Sequence, residues 1–195
     1  IEVCDWSSDV CSSDLFGKMY ENGYIYQGKK PVYWSWSSES TLAEAEVEYH
    51  DVESPSIYIS FPVKDGKGKL SEENTYFLIW TTTPWTIPYN QGIAVNPTLD
   101  YSVVEVGDRR YVVGTDRLSV VAEILGWDSY KTVQHLKGTD MEYMVAKHPY
   151  IEGRDSLLME AVYVTDDDGT GLVHTASGFG EDDYNTAMRY GFDVL

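Results

Sequence analysis

Two short stretches of the sequence combine residue types that can do chemistry. In the first, WTTTPWTIPYN, Thr81, Thr82 and Thr83 follow Trp80 directly. β-Branched residues suit a strand, but side chains alternate across a strand, so three consecutive hydroxyls cannot all face a core. The pattern has two interpretations: a strand that runs into a helix cap, or a wall of hydroxyl groups that orients a substrate and a water molecule.

The residues that follow favour the first interpretation for one threonine only. Thr83 stands before Pro84, and a threonine followed by proline is typical of an N-cap and the first position of a helix. A cap explains Thr83 but gives no reason for Thr81 and Thr82 to accompany it.

The second stretch, DDDGTGLVHTASGFGEDDYNTAM, combines a histidine with an acidic run. Leu172 and His174 share one face of a predicted strand, and a helix is predicted to begin at Glu181, Asp182 and Asp183. Acidic residues in a first helical turn stabilise a helix by about 0.3–1 kcal/mol each, which is the alternative to a chemical role for all three. For His174 the residues alone favour a hydrogen-bonded strand histidine over a functional one.

Composition limits the kinds of protein that the chain can be. Its 195 residues are 43% hydrophobic, which suits one globular domain. No apolar run approaches the roughly 18 residues that cross a membrane, and the start does not resemble a signal peptide. A formal net charge of -18 repels phosphate backbones, so we expect no membrane or DNA partner. The domain could still accept the tip of a strand that another domain holds.

The first fifteen residues differ from the rest. The run CDWSSDVCSSDL, from Cys4 to Leu15, resembles the translation of a common short-read sequencing adapter, so we predict that residues 1–15 are an artefact. A native tail rich in serine and aspartate is the alternative. Both cysteines, Cys4 and Cys11, lie in this run, so the rest of the chain can form neither a disulfide nor a thiolate metal site.

Strand signals dominate the remaining sequence. We predict a hairpin that turns at residues 27–30, a half-buried strand in TLAEAEVEY, and strands in SIYISFPV, YFLIWTTT, GIAVNP, YSVVEVGDRRYVVG and TVQHL. Helices are predicted to end at Glu21 and to cover 116–125 and 181–190, each followed by a glycine. The predicted fold class is α+β and strand-rich, with a β-barrel core and a few peripheral helices.

Both chemical stretches resemble motifs of one family. WTTTPWTIPYNQGIAVNP and DGTGLVHTASGFGEDDY resemble the threonine-rich peptide and the aspartate loop of the editing domain that interrupts the ATP-binding fold of the class I isoleucyl-, valyl- and leucyl-tRNA synthetases. KPVYWSWSSESTLAEAEVEY resembles the segment that leads into this insertion. The resemblance extends from Phe16 to Leu195. It implies a lead-in segment over 16–50 (helix end, hairpin and strand) and an editing domain over 51–195 that is truncated at its C-terminus.

Within the family, the run from Thr83 to Thr86 is similar to the isoleucyl member. The resemblance then implies hydrolysis of tRNA(Ile) wrongly charged with valine, by water and without a covalent intermediate, in the cytoplasm. An isoleucine pocket excludes valine by only about 1–3 kcal/mol, a limit for which the isoleucyl member of the family is a standard example. The implied partners are the 3' end of aminoacylated tRNA(Ile), the valyl group and the other synthetase domains.

The resemblance also assigns roles to individual residues. Those implied to be catalytic are Thr81, Thr82, Thr83 and Asp183, and those implied to bind substrate are Trp80, Asn90 and His174. Asp183 would anchor the ammonium group of the amino acid, and His174 would border its side chain. No metal is implied here, and ATP and magnesium would belong to the synthetic domain, whose HIGH and KMSKS motifs this sequence lacks.

The sequence departs from the family pattern at two positions. Ser177 stands where proline is usual, and Phe179 stands where histidine is frequent. Two other functions remain open. One is a valyl-tRNA synthetase editing domain that clears Thr-tRNA(Val). The other is a noncatalytic acidic β-rich module that binds partners through its aromatic residues, which make up 14% of the chain.

Overall fold

The computed structural model describes residues 7–195, with side chains from residue 12 onward, so part of the predicted artefact over 1–15 lies outside the described residues. The chain divides into two compact units, Ile1–Lys30 and Pro31–Leu195. In the first unit, helix α1 (Ser7–Glu21) ends where the sequence predicts, and Gly23 follows with a φ of +76°. This conformation is one that glycine adopts without steric cost.

The second unit starts with a short hairpin that differs from the prediction. Strands β1 (Tyr33–Ser35) and β2 (Ser40–Leu42) pair with each other, and a 3₁₀ turn follows at Glu44–Glu46. The turn predicted at 27–30 is therefore wrong, and so is the strand predicted over 41–49. The alternating alanines of that stretch are exposed, and the Glu46 carboxylate accepts a hydrogen bond from the Ala43 amide at 2.8 Å. Only Thr41 and Leu42 of the stretch lie in a strand, and among the described residues no strand pairs with the rest of it to bury its apolar face.

The main body of this unit is a nine-stranded mixed sheet, in the order β11-β5-β10-β9-β3-β4-β7-β6-β8. The strands are β3 (Ile57–Asp65), β4 (Thr75–Thr81), β5 (Gly92–Val95), β6 (Asp100–Val106), β7 (Arg109–Gly114), β8 (Lys131–Lys137), β9 (Val145–Lys147), β10 (Asp155–Glu160) and β11 (Leu172–Thr175). The pairs β5–β10 and β4–β7 are parallel, and the other neighbours are antiparallel. Sequence patterns found all of these strands except β9 and β10.

The sheet curves around its core. β11 pairs with β5 and also packs against β4, which lies further along the sheet. The Tyr101 hydroxyl donates a hydrogen bond to the Gly171 carbonyl at 2.9 Å, and the Gly114 amide donates one to the Thr170 carbonyl at 2.7 Å. These bonds fasten the segment before β11 to the ends of β6 and β7. The fully buried core includes Phe61, Phe77, Ile79, Ile93, Tyr101, Leu158 and Leu172.

Few helices accompany the sheet, as the sequence predicts. α2 (Leu118–Leu125) ends at Gly126, whose φ is +65°, α3 (Gly138–Met141) is a single turn, and α4 (Glu181–Arg189) ends before Gly191. The predicted strand-rich α+β fold with a few peripheral helices is thereby confirmed; for the predicted β-barrel core, the described pairings give a curved sheet with β11 and β8 as edge strands. None of the described helices has the length and apolar character that crossing a bilayer requires.

Candidate active site

A pocket of about 290 Å³ brings the two chemical stretches together. One wall is the end of β4 with the 3₁₀ turn Pro84–Tyr89, and the other is β11 with the start of α4. They meet because β11 packs against β4. The lining residues are Trp80, Thr81, Thr83, Trp85, Thr86, Val173, His174, Phe179 and Asp183.

Because side chains alternate along an extended chain, the three threonines do not all face the pocket. Thr81 and Thr83 line the pocket, and their hydroxyl oxygens lie 3.2 Å apart. The Thr83 amide also donates to the Thr81 hydroxyl at 3.1 Å. Thr82 is exposed and does not line the pocket, and its carbonyl accepts a hydrogen bond from the Ser54 hydroxyl at 3.1 Å. The pocket therefore holds a pair of hydroxyls.

Thr83 occupies the N-cap position that the sequence predicts, but its side chain does not act as a cap. Thr83 precedes a 3₁₀ turn that starts at Pro84, yet its side chain makes no capping hydrogen bond. Its carbonyl accepts hydrogen bonds from the Thr86 amide at 3.1 Å and from the Thr86 hydroxyl at 2.8 Å. The Thr83 hydroxyl is thereby left to face Thr81 and the pocket.

His174 is held by hydrogen bonds at both ring nitrogens. Its Nε2 lies 2.7 Å from the Thr86 hydroxyl oxygen, and its Nδ1 lies 3.0 Å from the Asn90 side-chain nitrogen. Thr86 donates its own hydrogen to the Thr83 carbonyl, so its oxygen must accept from the ring. Because Asn90 presents its amide nitrogen, Nδ1 must accept. The neutral imidazole with the proton on Nε2 satisfies both bonds.

Asn90 is anchored behind the histidine and not in the pocket. It is 1% exposed, its nitrogen also donates to the Gly92 carbonyl at 2.7 Å, and its oxygen accepts from the Ser156 hydroxyl. The carbonyl of Gly92 fixes which end of the amide faces His174. The structure therefore places Asn90, expected to bind substrate, where it orients the ring that borders the pocket.

Electrostatics keep His174 uncharged. Burial and, to a smaller extent, the nearby His148 lower the pKa of His174 to about 4. A neutral ring whose two nitrogens already have partners has no free lone pair with which to deprotonate water. The ring of His174 can instead serve as a wall of the pocket whose position is fixed.

Asp183 lies in the first turn of α4 and is only half buried. The pKa of its carboxyl is raised to about 6, mainly by burial and less by the charge of Asp182, against the nearby Ala176 backbone, which lowers it. Among the described residues, no ion pair includes Asp183. Space for the carboxylate comes from Gly180, since a Cβ there would lie 2.6 Å from Oδ2. A partly desolvated carboxylate without a cation is suited to bind a cationic ligand.

Aromatic residues complete the walls. Trp80 packs against Gly169, where φ is +65° and a Cβ would lie 3.0 Å from the indole. At the rim, Trp85 is 61% exposed. The Phe179 ring lies 5.1 Å from that of Tyr89, joining the two walls.

Sequence reasoning missed Thr86 among the pocket residues. One signal was present, because residues three apart in a 3₁₀ turn lie on the same side, which places Thr86 above Thr83. In the part of the chain that the structure describes, no three His, Cys, Asp or Glu residues come together as metal ligands.

A family model, described as tRNA synthetases class I (I, L, M and V), matches residues 7–184. The chain belongs to the class I tRNA synthetases. Isoleucine–tRNA ligases are similar over 181 residues, which are 93% of this chain: that of Lactobacillus helveticus is 66% identical, that of Lactobacillus acidophilus 64% and that of Bacillus licheniformis 58%. The chain spans 19% of the length of each of these class I synthetases.

Solved structures identify which part of a class I synthetase has this fold. The crystal structure of GlLeuRS-CP1 matches with a TM-score of 0.56 and 19% identity, over 71% of this chain and 65% of that one. The Plasmodium knowlesi (P. knowlesi) cytosolic leucyl-tRNA synthetase editing domain also gives 0.56, with 14% identity over 73% of this chain and 67% of that one. At these identities the likeness establishes the fold alone, which is that of a synthetase editing domain.

Proposed function

We propose that this chain is the editing domain of an isoleucine–tRNA ligase and hydrolyses the ester of Val-tRNA(Ile). The observation that carries the proposal is the pocket itself, in which a hydroxyl pair, a fixed neutral histidine and a carboxylate without a cation face the same space. The high identity to isoleucine–tRNA ligases supports the choice of amino acid.

Asp183 binds the ammonium group of the esterified amino acid. A charge-assisted hydrogen bond to a carboxylate is roughly twice as strong as a neutral one. The raised pKa of Asp183, about 6, shows that burial disfavours its charged form, and a bound ammonium would compensate for that cost. Binding therefore fixes the α-carbon, and with it the ester carbonyl, relative to the threonines.

The hydroxyls of Thr81 and Thr83 hold the attacking water. Oxygens 3.2 Å apart can both bond one water molecule, which adds to the ester carbonyl. The tetrahedral intermediate then collapses, the C–O bond to the terminal ribose breaks, and the ribose oxygen takes up the proton that the water gives up. The products are valine and uncharged tRNA. Among the described pocket residues no cysteine or serine pairs with a base, so the rate would come from positioning and electrostatics. Thr82, outside the lining, would act by shaping the turn.

His174 limits the size of the amino acid side chain. Its ring cannot swing away without breaking the hydrogen bonds to Thr86 and Asn90. A wall fixed in this way admits valine and clashes with the additional methylene of isoleucine, which protects correctly charged tRNA. Trp80 forms the adjoining wall.

The acidic domain would contact only the 3' end of tRNA(Ile). The exposed rings of Trp85 and Phe179 at the rim suit the stacking of unpaired bases, which does not require a basic surface. The other domains of the parent synthetase would grip the rest of the tRNA in the cytoplasm and would hold ATP and magnesium in the synthetic site. No step of the hydrolysis uses either.

Hydrolysis assays on Val-tRNA(Ile) and Thr-tRNA(Val) test the assignment. The proposal predicts that the chain removes valine faster than threonine and that the Asp183→Ala variant removes neither. A preference for threonine would indicate a valyl-type editing domain. Release of neither amino acid above the spontaneous rate would indicate a noncatalytic module.

A further inference from the structure

The side chain of Gln91 joins two segments that are distant in sequence. It is 7% exposed, its oxygen accepts a hydrogen bond from the Ser177 amide at 3.1 Å, and its nitrogen donates to the Asp193 carbonyl at 2.8 Å. Ser177 is fully buried, its hydroxyl donates to the same carbonyl at 3.3 Å, and it accepts from the Leu195 amide at 3.3 Å. Gln91 and Ser177 together, termed the loop clamp below, tie the β11–α4 loop to the segment after α4.

The hydrogen bond between Gln91 and Ser177 requires a residue with a backbone amide hydrogen at position 177. The loop turns at Ala176–Phe179, where the Phe179 amide donates to the Ala176 carbonyl at 3.0 Å. Ser177 is the second residue of this turn, a position at which proline is favoured because its ring presets φ. Proline has no amide hydrogen and could not donate to Gln91. The hydrogen bonds of Ser177 therefore supply a restraint that a proline ring would supply covalently.

The loop clamp lies directly beside the two walls of the pocket. The same loop ends at Gly180, which lies against the Asp183 carboxylate, since a Cβ at Gly180 would lie 2.6 Å from Oδ2. Gln91 follows Asn90, whose side chain holds His174. The Gln91 backbone is itself fixed, since its amide donates to the Thr175 carbonyl at 2.9 Å and its carbonyl accepts from the Leu157 amide at 3.2 Å.

We propose that Gln91 and Ser177 are positioning residues for the editing reaction, which hold the turn so that its backbone keeps the Asp183 carboxylate aimed into the pocket. This inference rests on the proposed function, since it requires Asp183 to bind the ammonium group. Gln91→Met keeps the length of the side chain and removes both hydrogen bonds. The matched control is Gln134→Met on β8, where the glutamine also donates to a backbone carbonyl, that of Lys69, at 2.7 Å.

Three readouts apply to wild type, Gln91→Met and Gln134→Met. For Val-tRNA(Ile), kcat/KM of Gln91→Met should fall about tenfold to a hundredfold, mostly through KM, because a displacement of about 1 Å costs about 10²-fold. The acid limb of its pH profile should move to higher pH, because a displaced loop carries the Ala176 backbone, which lowers the pKa of Asp183, away from the carboxylate. The other groups facing Asp183, namely Asp182, Tyr163 and neutral His174, are unchanged. Amide hydrogen exchange of residues 175–183 should accelerate, and Gln134→Met should match wild type in all three.

Serine variants test whether restraint of the turn is what matters. Ser177→Ala keeps the amide donor and should lose less than threefold in kcat/KM, and Ser177→Pro should lose less than Gln91→Met, because its ring restrains the same turn without the hydrogen bond. For the same reason, the double variant Gln91→Met/Ser177→Pro should be no worse than Gln91→Met alone. Additive losses, or a Gln91→Met enzyme with wild-type kcat/KM and pH midpoint, would overturn the inference. If wild type itself leaves Val-tRNA(Ile) intact, the proposed function fails, and unchanged exchange of residues 175–183 in Gln91→Met would then refute the loop clamp separately.

Discussion

Replacing Gly180 by alanine should disable the pocket while leaving the fold intact. The backbone at Gly180 is extended, with φ of -169° and ψ of 153°, a conformation that any residue adopts. A Cβ there would lie 2.6 Å from Oδ2 of Asp183. Because an ordinary contact begins near 3.4 Å, the carboxylate oxygen must retreat by about 0.8 Å, and a misplacement of this order costs about 10²-fold in rate.

Stability should change little, because exchanging glycine for alanine at an N-cap alters the free energy of unfolding by about 1 kcal/mol or less. Single-turnover hydrolysis of Val-tRNA(Ile) beside a melting curve measures both effects. The control is Gly28→Ala, where a Cβ would meet only the Tyr26 ring at an ordinary 3.4 Å. If Gly180→Ala keeps the wild-type kcat/KM, the position of the Asp183 carboxylate does not set the rate. The same conclusion follows if the rate falls only as much as the fraction of folded protein falls.

Three other variants test the remaining walls of the pocket. Thr81→Ala combined with Thr83→Ala should slow hydrolysis of Val-tRNA(Ile) far more than Thr82→Ala; equal effects in the same single-turnover assay would mean that the hydroxyl pair holds no water. His174→Ala should hydrolyse Ile-tRNA(Ile) at a rate approaching that for Val-tRNA(Ile), whereas an equal loss of about 10²–10⁴-fold on both would indicate a general base. Asp183→Ala should raise the free energy of unfolding by about 1–3 kcal/mol above pH 6, since a carboxyl with a raised pKa destabilises the fold where it is charged. Chemical denaturation should show that this gain in the free energy of unfolding disappears as pH falls from 6 to 4, because the Asp183 carboxyl of the folded wild type becomes neutral over that range. A gain that persists at pH 4 would contradict the raised pKa of Asp183.

The strands that the sequence predicts correctly are those whose own residues indicate burial or a turn. β5 is a continuous apolar run with all four residues buried, and Gly107 marks the hairpin of β6 and β7. β9 and β10 were missed for two reasons: β9 has only three residues, and β10 joins the rest of the sheet by pairing in parallel with β5, which is remote in sequence. The strand predicted over 41–49 failed for the opposite reason, since its alternation has no partner sheet to pack against.

In the candidate site, too, some features could be predicted from the sequence and others could not. The threonine pair, His174 and Asp183 could be proposed from residue type and resemblance, and the structure brings them to one pocket. The tautomer of His174 could not be predicted, because it depends on Thr86 and Asn90, which lie 88 and 84 residues away in sequence. The roles of such polar residues are set by the partners that the fold brings to them.

We propose that this pocket hydrolyses valine esters of tRNA(Ile) and spares isoleucine esters. The most direct measurement is the first-order rate of ester hydrolysis for Val-tRNA(Ile) and Ile-tRNA(Ile), each with wild type and with Asp183→Ala. We expect rapid loss of valine with wild type only, and a rate near the spontaneous one in the other three reactions. Loss of valine at the spontaneous rate with wild type, or equal rates for valine and isoleucine, would contradict it.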